Sequence, residues 1–215
     1  MQEVVNEMTE ENRRLAILQR QDPQISDRFA QEKVTILGCG GLGSNVAMML
    51  ARAGVGELVL YDDDQIEYSN LNRQNYSFSE VGQSKVYTCK KRLDSTLPYI
   101  KVEAYSQRVT PDNLEVISQQ SRLFIEAFDN QESKRMVLDY FMEQEDKYLI
   151  SAFGLSGLGS LSDIQVKYYN NICLIGDFKT TVDQGLYLPY VSVMASLEAL
   201  EALKWIKNGG YYGNK

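Results

Sequence analysis

The chain alternates between short apolar runs and stretches whose apolar residues recur every three or four positions. "KVTIL" at 33–37 is continuous and partly β-branched, so it reads as a buried parallel strand. Residues 44–53 then place Val46, Ala47 and Leu50 on one helical face, with Gly54 as a stop signal. The pattern repeats along the chain. Strands are predicted at 57–62, 101–107, 122–128 and 147–153. Helices are predicted at 84–97, before Pro98, at 111–120, opened by Pro111 and Asp112, and at 132–144.

Strands alternating with helices predict a parallel sheet with right-handed crossovers and helices on both faces. After residue 153 the pattern changes. Residues 154–160, "GLSGLGS", read as a loop, 161–170 and 171–177 as a hairpin pair of strands, and 176–189 as a mobile loop. Residues 192–207 form a helix with a wide apolar face. Residues 1–32 are polar and helical in part, interrupted at Pro23. The expected fold is α/β: a Rossmann-like, doubly wound, mainly parallel sheet with a C-terminal antiparallel extension and a closing helix. The expected organisation is an N-terminal helical segment over 1–32 and a single nucleotide-binding domain over 33–215.

Composition narrows the chemistry. The 215 residues are 44% hydrophobic and 24% charged, an ordinary globular balance. A net charge of −7 argues against a nucleic-acid partner, although a local Arg/Lys pair can still hold a phosphate. The three cysteines, Cys39, Cys89 and Cys173, form no CxxC pair, which disfavours a disulfide framework and a four-thiolate zinc site. There is no histidine, so Ser-His-Asp and Cys-His catalysis and histidine metal sites are excluded. The charged N-terminus lacks the apolar core of a signal peptide and no stretch is long enough to span a bilayer, so the expectation is a cytoplasmic protein with no membrane partner.

Gly38-x-Gly40-x-x-Gly43 falls directly between a predicted strand and helix, the context of a phosphate-binding turn. The plain alternative is a tight turn without a ligand. Asp62 ends the second strand, where a carboxylate can accept bonds from ribose hydroxyls of NAD or of any adenosine. Asp63 and Asp64 follow it and also read as solvated loop acids. Arg73 and Lys85 tilt the balance toward a triphosphate, whose transferring phosphoryl group needs positive charge. Asp129, at the end of the fourth strand, can hold Mg²⁺ against phosphate oxygens, leaving Asn130 to cap the next helix. Together these suggest adenylation of a carboxylate, which is ionised at neutral pH and needs no general base.

"GCGGLGSN", "ARAGVGELVLYDDDQIEYSNLNRQNY", "VGQSK" and "EAFDN" closely resemble the ThiF/MoeB/HesA family. These adenylyltransferases activate ubiquitin-like sulfur carrier proteins and are related to the ubiquitin-activating enzymes. The resemblance is collinear over roughly residues 18–207 and is nearest the compact ThiF type of thiamine biosynthesis. It implies ATP and Mg²⁺ as cofactors. It implies a nucleotide lined by Gly41 and its neighbours and surrounded by Asp62, Asp64, Ser69, Asn70, Leu71, Asn72 and Arg73. It places Arg73 and Lys85 on phosphates and Asp129, with Asn130 beside it, on the metal.

Arg20 resembles the family arginine that reaches into a partner subunit, which implies a homodimer. The implied substrate is a small carrier ending in Gly-Gly, whose tail would pass under residues 176–189. Many members hold structural zinc in two CxxC pairs; this chain has neither, and no zinc is expected. Cys173 is the one cysteine near the crossover loop that could link covalently to the carrier, and a buried strand residue is the preferred reading of it. The competing functions are an NAD(P)-dependent oxidoreductase, an adenylyltransferase for a MoaD-like carrier, and a non-catalytic carrier-binding module.

Overall fold

The computed structural model describes residues 9–154, 156–179 and 184–210. Seven strands form one sheet: β1 (Lys33–Leu37), β2 (Glu57–Tyr61), β3 (Lys101–Tyr105), β4 (Leu123–Glu126), β5 (Tyr148–Phe153), β6 (Gln165–Tyr169) and β7 (Ile172–Gly176). Their order is β3-β2-β1-β4-β5-β7-β6. Every neighbouring pair is parallel except β6 with β7. The expected Rossmann-like sheet with an antiparallel extension is therefore present. The strand order reverses at β1, which has β2 on one side and β4 on the other, and the crevice above such a switch point is where open α/β sheets bind ligands.

Helices cover both faces. They are α1 (Glu10–Leu18), α2 (Pro23–Gln31), α3 (Gly43–Ala53), α4 (Lys85–Thr96), α5 (Pro111–Ser118), α6 (Gln131–Phe141) and α7 (Leu188–Lys207). The larger core joins β1, β2, α3, α4 and α7 through Ile36, Leu50, Leu58, Leu60, Leu93 and Met194. The smaller one joins the opposite sheet face to α5 and α6 through Leu37, Phe124, Val137 and Phe141. This two-sided burial is why the central strands read as near-continuous apolar runs rather than alternating ones.

Local chemistry sets the helix ends. Asp22 caps α2, accepting from the backbone N–H of Gln24 and Ile25, and Pro23 sits in the first turn, where its missing N–H costs nothing. Pro23 thus opens a second helix after the break. Gly54 ends α3 at φ 93°, a left-handed C-cap, under the side chain of Leu18. Asn130 caps α6 as expected, accepting from Ser133 N–H at 2.8 Å.

The ends of the predicted elements move by a few residues. β2 stops at Tyr61 and β4 at Glu126, so Asp62 and Asp129 lie on the connections just beyond their strands. α7 starts at Leu188, four residues before the predicted helix, because Pro189 in its first turn starts a helix instead of belonging to the loop. Of the predicted loop at 176–189, residues 180–183 lie outside the described residues, as do residues 1–8 of the N-terminal segment.

Candidate active site

A cavity of about 1000 Å³ opens over the C-terminal ends of the strands. Its wall includes Gly38, Gly40, Gly41, Asp62, Asp64, Arg73, Lys85, Asp129 and Asn130, so residues far apart in sequence converge there. Gly43, Ser69, Asn70, Leu71 and Asn72 stand behind that wall rather than in it, and Arg20 is exposed outside it.

The glycine turn divides into two kinds of position. Gly38 has φ 103°, and a Cβ there would meet the Ala127 carbonyl oxygen at 2.9 Å. A Cβ on Gly43 would lie 1.8 Å from the Gly38 carbonyl oxygen. These two glycines let the start of α3 close onto the turn. By contrast, a Cβ on Gly40 would meet only the Gln74 side chain, at 3.6 Å, and one on Gly41 would touch Val191 at 3.3 Å and Arg73 at 3.6 Å. Both border the cavity, so their missing side chains leave room against the backbone. No side chain caps the N-terminus of α3 and no acid lies in its first turn, which leaves its amide dipoles to an incoming anion.

Asp62 secures the turn. Its carboxylate accepts Cys39 N–H at 2.6 Å and Asp64 N–H at 2.8 Å. Burial raises the carboxyl above the usual range, while those two N–H groups and the Lys85 ammonium oppose the rise. Lys85, the first residue of α4, is itself buried and pairs with Asp64 at 2.6 Å. Arg73 donates Nη1 to the Ser69 carbonyl at 2.8 Å and to Asn72 Oδ1 at 2.9 Å. Asp129 is exposed and has no hydrogen bond or ion pair within the described residues, so a free carboxylate faces the cavity. That arrangement fits Mg²⁺, which commonly takes one or two carboxylates, phosphate oxygens and waters.

Several contributors were not singled out in the sequence. Ser44 Oγ donates to the Gly40 carbonyl and accepts Asn75 N–H, and Asn45 Nδ2 donates to the carbonyls of Gly41 and Arg73. They tie the glycine turn to the segment bearing Arg73. Tyr76 OH donates to the Cys39 carbonyl at 2.7 Å and lies 3.1 Å from the Lys85 carbonyl, which shares the same hydrogen, joining the turn to α4. Gln74 is buried in the cavity wall, and its Oε1 has no partner among the described residues. Polar residues beside "GCGG" and "SNLNR" were the available signal, but their direction was not readable from spacing.

A second buried group lies behind the same cavity, which Lys134 and Phe128 line. Glu126, fully buried at the end of β4, accepts Lys134 Nζ at 2.8 and 3.1 Å, Ser151 Oγ at 2.5 Å and Phe128 N–H at 2.7 Å. It fixes the turn that leads to Asp129. Glu198 on α7 is also fully buried, and neither of its carboxylate oxygens has a hydrogen-bond partner among the described residues. Burial raises its pKa well above the ordinary value, Lys134 opposing and Glu126 reinforcing the shift. Cys173 lies in β7, outside the cavity wall, and burial pushes its thiol up to about 12.

A glycine turn at a switch point, with cations and a free carboxylate converging over it, places the cavity where doubly wound α/β folds hold their ligands. Residues 11–214 match the model of the ThiF family, and the chain belongs to that family. It is 31% identical to the sulfur carrier protein ThiS adenylyltransferase of Escherichia coli over 82% of this chain and 73% of that protein. It is also 31% identical to the molybdopterin-synthase adenylyltransferase of Salmonella typhimurium, over 95% of this chain and 84% of that one. The chain spans about half the length of other curated relatives that it matches. The fold is shared with the E. coli tRNA N6-threonylcarbamoyladenosine dehydratase in complex with ATP, at a TM-score of 0.80 and 22% identity over 90% of this chain and 93% of that one. No helix of the described residues is long and apolar enough to cross a membrane.

Proposed function

We propose that this chain is an adenylyltransferase that uses ATP and Mg²⁺ to activate the C-terminal Gly-Gly carboxylate of a ubiquitin-like sulfur carrier protein, a ThiS-like carrier of thiamine biosynthesis. The carrying observation is the convergence of the open Gly40–Gly41 backbone, Arg73, Lys85 and Asp129 on one cavity. Both relatives compared above are named as adenylyltransferases, and the solved ATP complex shares the fold.

In this reading Gly40, Gly41 and the N-terminus of α3 receive phosphate oxygens, and Asp62 receives the ribose. A carrier carboxylate oxygen attacks the α-phosphorus, the bond from that phosphorus to the bridging oxygen breaks, and pyrophosphate leaves. Arg73 and Lys85 neutralise the charge that develops. Mg²⁺ held at Asp129 would supply charge neutralisation on the phosphates. The nucleophile is already ionised, so the chain's lack of histidine is no obstacle. Arg20 would be supplied by the second subunit of a homodimer, consistent with its position outside the cavity of its own chain.

The test is pyrophosphate exchange with ATP, Mg²⁺, labelled pyrophosphate and a panel of Gly-Gly carriers. Label entering ATP only with a ThiS-like carrier supports the reading in full. Exchange with a MoaD-like carrier instead keeps the chemistry and replaces the carrier. No exchange with any carrier, despite ATP binding, favours a carrier-binding module.

A further inference from the structure

Asn72 is exposed, stands behind the cavity wall, and yet its side-chain amide spans two parts of the site. Oδ1 accepts Arg73 Nη1 at 2.9 Å, and Nδ2 donates to the Leu186 carbonyl at 3.0 Å, across 114 positions of sequence. Only one orientation of the amide serves both partners, because Arg73 offers a donor and Leu186 an acceptor. With Ser69 the amide occupies both Nη1 hydrogens of Arg73, and Nε and Nη2 have no protein acceptor among the described residues. The side of the guanidinium suited to forked recognition of an oxyanion is thereby left open.

The other end of the bridge is equally placed. Leu186 lines the cavity and lies just before α7. Its neighbour Gly185 accepts Gly157 N–H at 2.7 Å, so the described residues 184–187 are held between the Arg73 turn and the loop after β5.

We propose that Asn72 is a positioning residue that couples nucleotide binding at Arg73 to the ordering of the chain at Leu186. The proposal rests on the ATP reading above. An anion on Arg73 fixes the guanidinium, the guanidinium fixes the amide, and the amide holds the Leu186 carbonyl. By linkage, a substrate tail that orders the Leu186 segment must tighten nucleotide binding by the same factor.

Two measurements test it, on the full chain with Mg-ATP: nucleotide affinity by titration calorimetry, and amide hydrogen exchange at Gly185, Leu186 and Tyr187. In the unmodified protein, nucleotide slows exchange at these amides. In Asn72→Ala that slowing disappears and affinity falls roughly two- to tenfold, the range expected for one hydrogen bond. In an Arg73→Gln background, Asn72→Ala has no further effect on affinity, since it acts through the guanidinium. The side chain is exposed, and unchanged thermal unfolding shows that the variant still folds. Equal affinity and equal slowing in Asn72→Ala, or an undiminished loss of affinity in the Arg73→Gln background, would overturn the coupling and leave the proposed function intact. An unmodified protein that binds no ATP would overturn both.

Discussion

Two lysines border the same cavity, and their partners separate binding from scaffolding. Lys85 and Lys134 are about equally hidden, with side chains 8% and 10% exposed. The partner of Lys85 is Asp64, whose side chain is 66% exposed, whereas Lys134 is paired with Glu126, which is 0% exposed. A solvated carboxylate can give up its ammonium to an incoming phosphate at small cost. A buried carboxylate that also accepts Ser151 and Phe128 cannot, because it would be left charged and unpaired. In the proposed function, the solvation of the partner rather than proximity to the cavity is what favours Lys85 over Lys134 as the ligand group.

The comparison breaks most directly at Lys134. Replacing it with Met strands Glu126 and is expected to cost about 3–5 kcal/mol of stability, read from denaturant unfolding. A loss below about 1 kcal/mol would show that the pair is as dispensable as a surface one. The corresponding Lys85→Met change should cost less than about 1 kcal/mol of stability, its partner being solvated, yet slow pyrophosphate exchange about 10²- to 10³-fold. Arg73→Ala and Asp129→Ala should likewise abolish exchange with the fold intact, and near-parental turnover in either would remove it from the proposed site.

The glycines sharpen the same contrast. Gly40→Ala should leave unfolding nearly unchanged but weaken ATP binding about tenfold, since the new methyl enters space open to the cavity. Gly43→Ala should prevent folding, because its methyl would lie 1.8 Å from a backbone oxygen.

The remaining contrast, a pH-dependent one, concerns Glu198. Its folded pKa is raised, so unfolding releases a proton between its unfolded and folded pKa values. Stability contributed by the neutral acid is complete below the unfolded value and is lost as pH rises toward the folded one. Glu198→Gln should therefore gain on the parent as pH rises above about 4.5, by at most about 1.4 kcal/mol per pH unit. Parallel stability curves for parent and variant would show that the carboxyl ionises freely in the fold.

Much of the fold was legible because β1, β2, β4 and β5 are covered on both sides and their sequences are mostly apolar rather than alternating. The start of α7 was not, since weak periodicity and Pro189 suggest a loop until tertiary packing buries Tyr190, Val191 and Met194. In the site, the sequence marked the glycines, acids and cations that the cavity brings together. It did not distinguish Gly38 and Gly43, demanded by backbone approach, from Gly40 and Gly41, which leave space. Nor did "LFIEAF" announce that Glu126 would meet a lysine and a serine, because those partners come from α6 and β5 and only the folded sheet aligns them.

The central place of β1 also orders the assembly of the site in time. Synthesis delivers β1, β2 and β3 with the glycine turn, Asp62, Arg73 and Lys85 before the strand that leads to Asp129. These three strands are neighbours in the finished sheet, so they can pair while the second edge of β1 still waits for Leu123–Glu126. That waiting edge is "VTIL", wholly buried in the final molecule. Until β4 arrives, the nascent chain carries an open apolar strand, the kind of edge on which aggregation and chaperone capture begin.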